Sequence, residues 1–314
     1  MQHRIADLHC DTFKVLSDTG ADLASNDLSI SLDKAAAFHP YIQTAAVWSD
    51  SRCSDEECWR RFLRVADDME AQLAKYAGRA SLCRSAADLD RNSADGIASF
   101  IYAVEDARIL CGNLARLDVL YERGVRFLTL TWSGETIVGG SFDTDTGLTD
   151  FGKAAVRRAL ELGIVPDISH ASRKTAADAL AIAEEMERPI VATHSNSQSV
   201  MPLPRNLTDE EFLRVARLGG IVGISFAAAH LTAAETCTAD TVIAHIRHYF
   251  DLGGEDHVAL GCDFDGIDRA PEGLEDISKL GYLADTMQKA GFTGQQIDKV
   301  FYANASAFMR RNLK

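Results

Sequence analysis

Apolar residues gather into short runs along the chain, and the stretches between them carry helical periodicity. Eight runs stand out: Ile5–Asp11, Thr44–Ser49, Ala98–Glu105, Arg126–Trp132, Ile164–His170, Pro189–Ser195, Ile221–Phe226 and Val258–Phe264. Most are near-continuously apolar rather than alternating, which is the pattern of strands buried on both faces of a parallel sheet. The intervening segments show helix signals. Ser54-x-x-Glu57 is a capping box ahead of Cys58, Phe62, Val65, Met69, Leu73 and Tyr76, with Gly78 beyond. Thr208-x-x-Glu211 opens a helix closed by Gly219-Gly220, and Thr293-x-x-Gln296 opens a last one running to Arg311. Asp150 is placed to cap a helix ending at Gly163, and Ser172 one ending before Pro189. Pro166 falls inside the fifth run, unusual for a central strand.

This alternation predicts an α/β fold, a single (β/α)8 TIM-type barrel spanning 1–314. An open doubly wound sheet is the alternative. The first run is followed by no Gly-x-Gly-x-x-Gly, which weakens a dinucleotide site. No internal repeat or linker divides the chain. Ser133–Thr149, rich in Gly, Thr and Asp, follows the fourth run and is expected to be an active-site loop.

Composition excludes several classes. The 314 residues are 46% hydrophobic and 25% charged, as in soluble globular proteins. No run approaches the roughly 18 apolar residues of a membrane span, and a strand begins too early for a signal peptide, so a cytoplasmic protein is expected. The net charge of −14, with no basic stripe, argues against nucleic acid. Seven scattered cysteines without a Cys-x-x-Cys predict neither a disulfide framework nor a zinc knuckle.

The candidate chemistry lies at the C-terminal ends of the runs. His9 and Asp11 end the first, Glu105 the third, His170 the fifth, His194 the sixth and Asp263 the eighth. Residues two apart on a strand share a face, so His9 and Asp11 suit one divalent ion. In a barrel these ends converge where active sites sit. Three imidazoles and three carboxylates there supply ligands for two metal ions, with one carboxylate left for proton transfer. Asp263 lies nearer its strand than Asp265, which suits a turn. His245 and His248, three apart on a helix, read as a solvated face rather than a metal pair. Asp7 shares strand parity with His9 and reads as a supporting or core polar group. Arg205 follows Pro202-Leu203-Pro204, a stiff loop from which a guanidinium could clamp a carboxylate.

In this order the residues resemble the membrane (renal) dipeptidase family of zinc peptidases, in its bacterial form. The resemblance rests on Asp7-Leu8-His9-Cys10-Asp11-Thr12, Ala103-Val104-Glu105, Gly124 to Thr131, Asp167-Ile168-Ser169-His170-Ala171-Ser172, Thr193-His194-Ser195, Pro204-Arg205-Asn206, Gly261 to Gly266 and Pro271 to Asp276. It implies a barrel with two zinc ions, one on His9 and Asp11, the other on His170 and His194, with Glu105 bridging. It further implies that Asp263 is the acid/base, that Arg205 binds the substrate's C-terminal carboxylate, and that the substrates are dipeptides, often with a D-residue second. Homodimers are frequent in the family. Three positions depart from its pattern. Trp132 stands where a substrate-contacting histidine is usual, and His230 where a tyrosine is frequent. The family's Gly-Gly-Asn becomes Ala303-Asn304, so Asn304 is a further candidate substrate contact. A different metal-dependent hydrolase on the same barrel (amidase, lactonase or deaminase) is the nearest alternative, and a metal-bound barrel without turnover is the second.

Overall fold

The apolar runs pair in parallel in the computed structural model, which describes residues 4–50 and 52–313. The strands are β1 (Ile5–Asp7), β2 (Tyr41–Trp48), β3 (Ala80–Leu82), β4 (Ala98–Glu105), β5 (Val125–Thr129), β6 (Val165–Asp167), β7 (Val222–Ile224) and β8 (Val258–Leu260). Seven of them form one curled parallel sheet in the order β6-β5-β4-β2-β1-β8-β7. Strand β3, unexpected from the sequence, pairs with the first residues of β4, while β5 pairs with its last.

The expected sixth strand, Pro189–Ser195, is not a full strand. Val191 and Ala192 make single parallel bridges to Asp167 and Val222, one on each sheet edge. Two prolines account for the short pairing: Pro166 on β6 and Pro189 ahead of the segment offer no N–H to a ladder. Pro166 still accepts from Val191 N at 3.1 Å. Close approach at this seam requires glycine. A Cβ on either Gly223 or Gly261 would lie 2.0 Å from the Thr193 carbonyl oxygen.

Strand faces divide the core. Ile42, Ala46, Ile101, Ala103, Phe127, Val165 and Ala259 pack with Phe308 and Met309 of the C-terminal helix. Tyr41, Phe100, Tyr102 and Val104 pack with the surrounding helices, where Phe13 meets Phe100 edge-on at 5.1 Å. The capping boxes at Ser54, Thr208 and Thr293 all form. The helix expected to be capped by Asp150 begins at Asp150 and is capped by Thr149, whose hydroxyl accepts from Gly152 N. The last helix is interrupted by a π turn at Lys299–Ala303 before Asn304–Asn312.

Candidate metal centre and its cavity

The site grows from irregularities at the strand ends. Strand β1 stops at Asp7 and the chain bends at Leu8, so shared parity along one strand is not what brings His9 and Asp11 together. Asp7 pairs with Leu260, but Cys10 pairs with Phe264, so three steps on one chain face four on the other. Asp263, in the left-handed region at φ 63°, takes up the extra residue as at a bulge. His170 at 65° and Asp265 at 65° share that conformation, and Asp106, beside Glu105, sits at 86°. Such costly backbone angles gather where a site needs side chains re-aimed.

All six strand-end candidates meet. Glu105 lies 3.0 Å from His170 Nε2, 3.3 Å from His194 Nε2 and 3.6 Å from His9 Nε2. His9 Nε2 is 3.9 Å from both Asp11 and Asp263. The His170 and His194 Nε2 atoms face each other at 2.8 Å. Donor atoms of His9, Asp11 and Glu105 form one cluster and those of Glu105, His170 and His194 a second; a third grouping, His9, His194 and Asp263, was not foreseen. His9 Nε2 and Asp11 Oδ1 are buried without a hydrogen-bond partner among the described residues. Buried lone pairs and carboxylates left without donors are what divalent cations satisfy, and imidazole with carboxylate suits several of them.

Electrostatics point the same way. Burial pushes the Glu105 carboxyl up to about 8. Burial, reinforced by Glu105, raises Asp11, and burial raises Asp263 well above the carboxylate range. Burial holds His170 and His194 far below the usual imidazole value, so both are neutral. A neutral imidazole is the ligand form. Arg108, the nearest cation in sequence, bonds Asp55 at 2.8 Å.

A cavity of about 630 Å³ opens above the cluster, bounded by Asp11, Glu105, His170 and Asp263 below and by Trp48, Trp132, Phe142, His230 and Ile267 around it. Trp132 meets Trp48 edge-on at 4.8 Å and lies 6.1 Å from the His170 ring. The Ser133–Thr149 segment contributes Ser133 and Phe142 to the wall, and Phe142 N donates to His170 O at 2.8 Å. A Cβ on Gly266 would fall 2.1 Å from Asp11 Oδ2 and 2.7 Å from Asp263 Oδ1, so a side chain there would displace the carboxylates of the cluster.

Other candidates lie further off. Arg205 is buried and does not border the cavity; it donates to Ser195 Oγ at 3.0 Å and to His194 O at 2.9 Å, leaving Nε without an acceptor among the described residues. Burial pulls its pKa down, opposed by Asp263 and Glu105. Asn304 is a correction. It sits at the opposite end of the sheet, donating to Glu255 O at 2.9 Å and Val258 O at 2.8 Å, where it secures the start of β8. His245 is another: it is fully buried, accepting from Ser197 N at 3.0 Å and contacting Leu231 O at 3.0 Å. It ties the loop after His194 to the short helix carrying His230. Asp265 accepts from Thr12 Oγ1 and Ser29 N, tying the turn after β8 to two segments distant in sequence. Asp7 accepts from Cys262 N at 2.9 Å and supports the strands on either side. Trp48, which ends β2 and lines the cavity, was missed, because the search at strand ends looked for polar groups able to bind metal.

A family model described as membrane dipeptidase (peptidase family M19) matches residues 1–312. The chain belongs to this family. It is a metal-dependent hydrolase of the dipeptidase type. A Klebsiella pneumoniae protein described only as an uncharacterized protein in the pqqA 5′ region is 36% identical over 244 residues, covering 74% of this chain and 89% of its own. A solved metallopeptidase described as dipeptidase AC of family M19 superposes with a TM-score of 0.92 at 28% identity, over 100% of this chain and 99% of that one. A metallopeptidase from Rhodobacter sphaeroides, solved with a phosphinate mimic of the dipeptide L-Ala-D-Ala, gives 0.90 at 27% identity over 99% and 100%. No helix among the described residues is long and apolar enough to cross a membrane.

Proposed function

We propose that the chain is a zinc-dependent dipeptidase whose 314 residues act as one (β/α)8 domain, closed by the bridges at Val191 and Ala192. The observation that carries this reading is the pair of donor clusters sharing Glu105 at the foot of one cavity. His9 and Asp11 would hold one ion, His170 and His194 the other, and Glu105 both. Divalent ions held there would supply Lewis acidity and, by lowering the pKa of water, a nucleophile at neutral pH.

The protein's own groups do the rest. Asp263 borders the cavity and is buried beside His9. It takes the proton of the attacking water and delivers it to the departing amine as the carbonyl carbon gains an oxygen and the C–N bond breaks. Arg205, whose Nε–H has no acceptor among the described residues and whose charge reaches Asp263, Glu105 and His230, sits behind the cavity wall, and the substrate's C-terminal carboxylate is assigned to it on the condition that the carboxylate reaches past that wall. That favours short substrates with a free C-terminus. Trp132 and Trp48 give the cavity an apolar wall, with His230 as a polar contact; His230 is kept neutral, burial and then Arg205 lowering it to about 3. The Rhodobacter relative's L-Ala-D-Ala mimic supports acceptance of a D-residue at the second position.

The test is hydrolysis of L-Xaa-L-Xaa and L-Xaa-D-Xaa dipeptides, and of their C-terminal amides, by zinc-reconstituted protein. Free dipeptides should be cleaved, their amides should show a much higher KM, and Asp263→Asn should lose turnover by about 10²–10⁴-fold. Equal cleavage of dipeptides and amides would sink the dipeptidase reading.

A further inference from the structure

Behind the two clusters lies a single hydroxyl that touches a ligand of each. Thr193 Oγ1 is 3.2 Å from His9 Nδ1 and 2.8 Å from His194 Nδ1. The same oxygen donates to Asp167 Oδ2 at 2.6 Å. Asp167 is itself saturated with donors: Thr129 Oγ1 at 2.7 Å on Oδ2, and Ser169 N at 2.8 Å and Thr193 N at 3.0 Å on Oδ1. Four of these six residues, Thr129, Asp167, Thr193 and His194, lie at the C-terminal end of β5, at that of β6, or on the segment bridging β6 and β7.

A hydroxyl has one proton and two lone pairs. The Thr193 proton is directed at Asp167 Oδ2. Both remaining lone pairs then face imidazole Nδ1 atoms, and a contact of that kind requires a proton on each nitrogen. His9 and His194 are thereby fixed together as Nδ1–H tautomers, with bare Nε2 atoms turned toward Glu105. We infer that Thr193, oriented by Asp167, is the positioning residue that sets the tautomer of one ligand in each metal cluster at once. It rests on the reading of His9 and His194 as ligands. The backbone supports the arrangement, since the Thr193 carbonyl is seated against Gly223 and Gly261, where any side chain would collide.

Three variants separate this role from simple packing. Thr193→Val keeps the shape and removes the hydroxyl. Thr193→Ser keeps the hydroxyl. In Asp167→Asn the amide oxygen must face the two backbone N–H groups, so the NH2 faces Thr129 and Thr193. The Thr193 proton is then released toward one imidazole, which must accept it and take the opposite tautomer.

The readouts are imidazole 15N chemical shifts in the metal-free protein and zinc affinity by chelator competition. Wild type and Thr193→Ser should show His9 and His194 as Nδ1–H. Thr193→Val should lose that preference and weaken zinc by about 10–100-fold at both sites. Asp167→Asn should show one of the two as Nε2–H and bind one fewer ion tightly. An Nε2–H signal from either residue in wild type, or Thr193→Val with unchanged tautomers and affinities, would overturn the inference. The tautomer readout needs no metal, so a wild type that binds no zinc while showing both Nδ1–H signals would refute the metal-site reading and leave the hydrogen-bond assignment standing.

Discussion

Removing the divalent ions should make the protein sensitive to alkali in a defined window. The folded, metal-free chain keeps a proton on Glu105 up to about pH 8, whereas the unfolded chain releases it near 4.5. Between those values the folded state holds more protons, so stability falls as pH rises, by about 1.4 kcal/mol per pH unit for one such group. Asp11 and Asp263 are raised as well and act in the same direction. His170 and His194 act oppositely: burial keeps them neutral in the fold, while the unfolded chain gains protons below 6.5. Their penalty therefore grows as pH falls below 6.5 and is absent above it. From there to about 8 the carboxyls act alone, and Glu105 by itself costs about 2 kcal/mol, equivalent to roughly 3 °C in melting temperature for a chain of this length. Cations paired with the carboxylates remove the need for those protons. Thermal unfolding of chelator-treated and zinc-reloaded protein from about pH 5.5 to 8.5 checks this. The metal-free melting temperature should fall above pH 6.5 and the gap to the loaded protein should widen. A metal-free curve that stays flat or rises over that window would refute the reasoning.

Three substitutions test other parts of the account. Gly266→Ala puts a methyl where Asp11 and Asp263 now sit, 2.1 and 2.7 Å away, so zinc affinity measured by chelator competition should drop at least about 10-fold. Asn304→Ala removes the donor shared by Glu255 O and Val258 O at the start of β8; it should cost about 1–3 kcal/mol in denaturant unfolding while leaving kcat/KM unchanged. Trp132→Ala opens one aromatic wall, and KM should rise for dipeptides with large apolar side chains more than for Gly-Gly, with kcat little altered.

The clustering of the candidates was legible because its rule is coarse: a polar residue capable of binding metal at the end of an apolar run. His9, Asp11, Glu105, His170, His194 and Asp263 all obey it, and each reaches the same cluster. The path to that cluster was not legible. A bend at Leu8 and a bulge at Asp263 aim the first and last strands, and neither leaves a pattern in an apolar run. Pro189–Ser195 reads like its neighbours because burial, not ladder length, sets its composition. Strand β3 is three residues long and carries too little signal. His245 was misread since a helix-face argument weighs only its own helix, and its partners, Ser197 and Leu231, arrive from distant segments. Asn304 was placed by resemblance near a site that lies at the other end of the strands. Thr193 and Asp167 sat inside recognised segments, yet a shared hydroxyl is a tertiary fact that appears only once His9 is folded against them.

The most direct measurement follows metal content and turnover in one sample: zinc titrated into metal-free protein while L-Ala-D-Ala hydrolysis is recorded. The account predicts two tightly held ions per chain and activity that reaches its plateau at the second equivalent. Saturation at a single ion, or two bound ions with no turnover of any dipeptide, would contradict it.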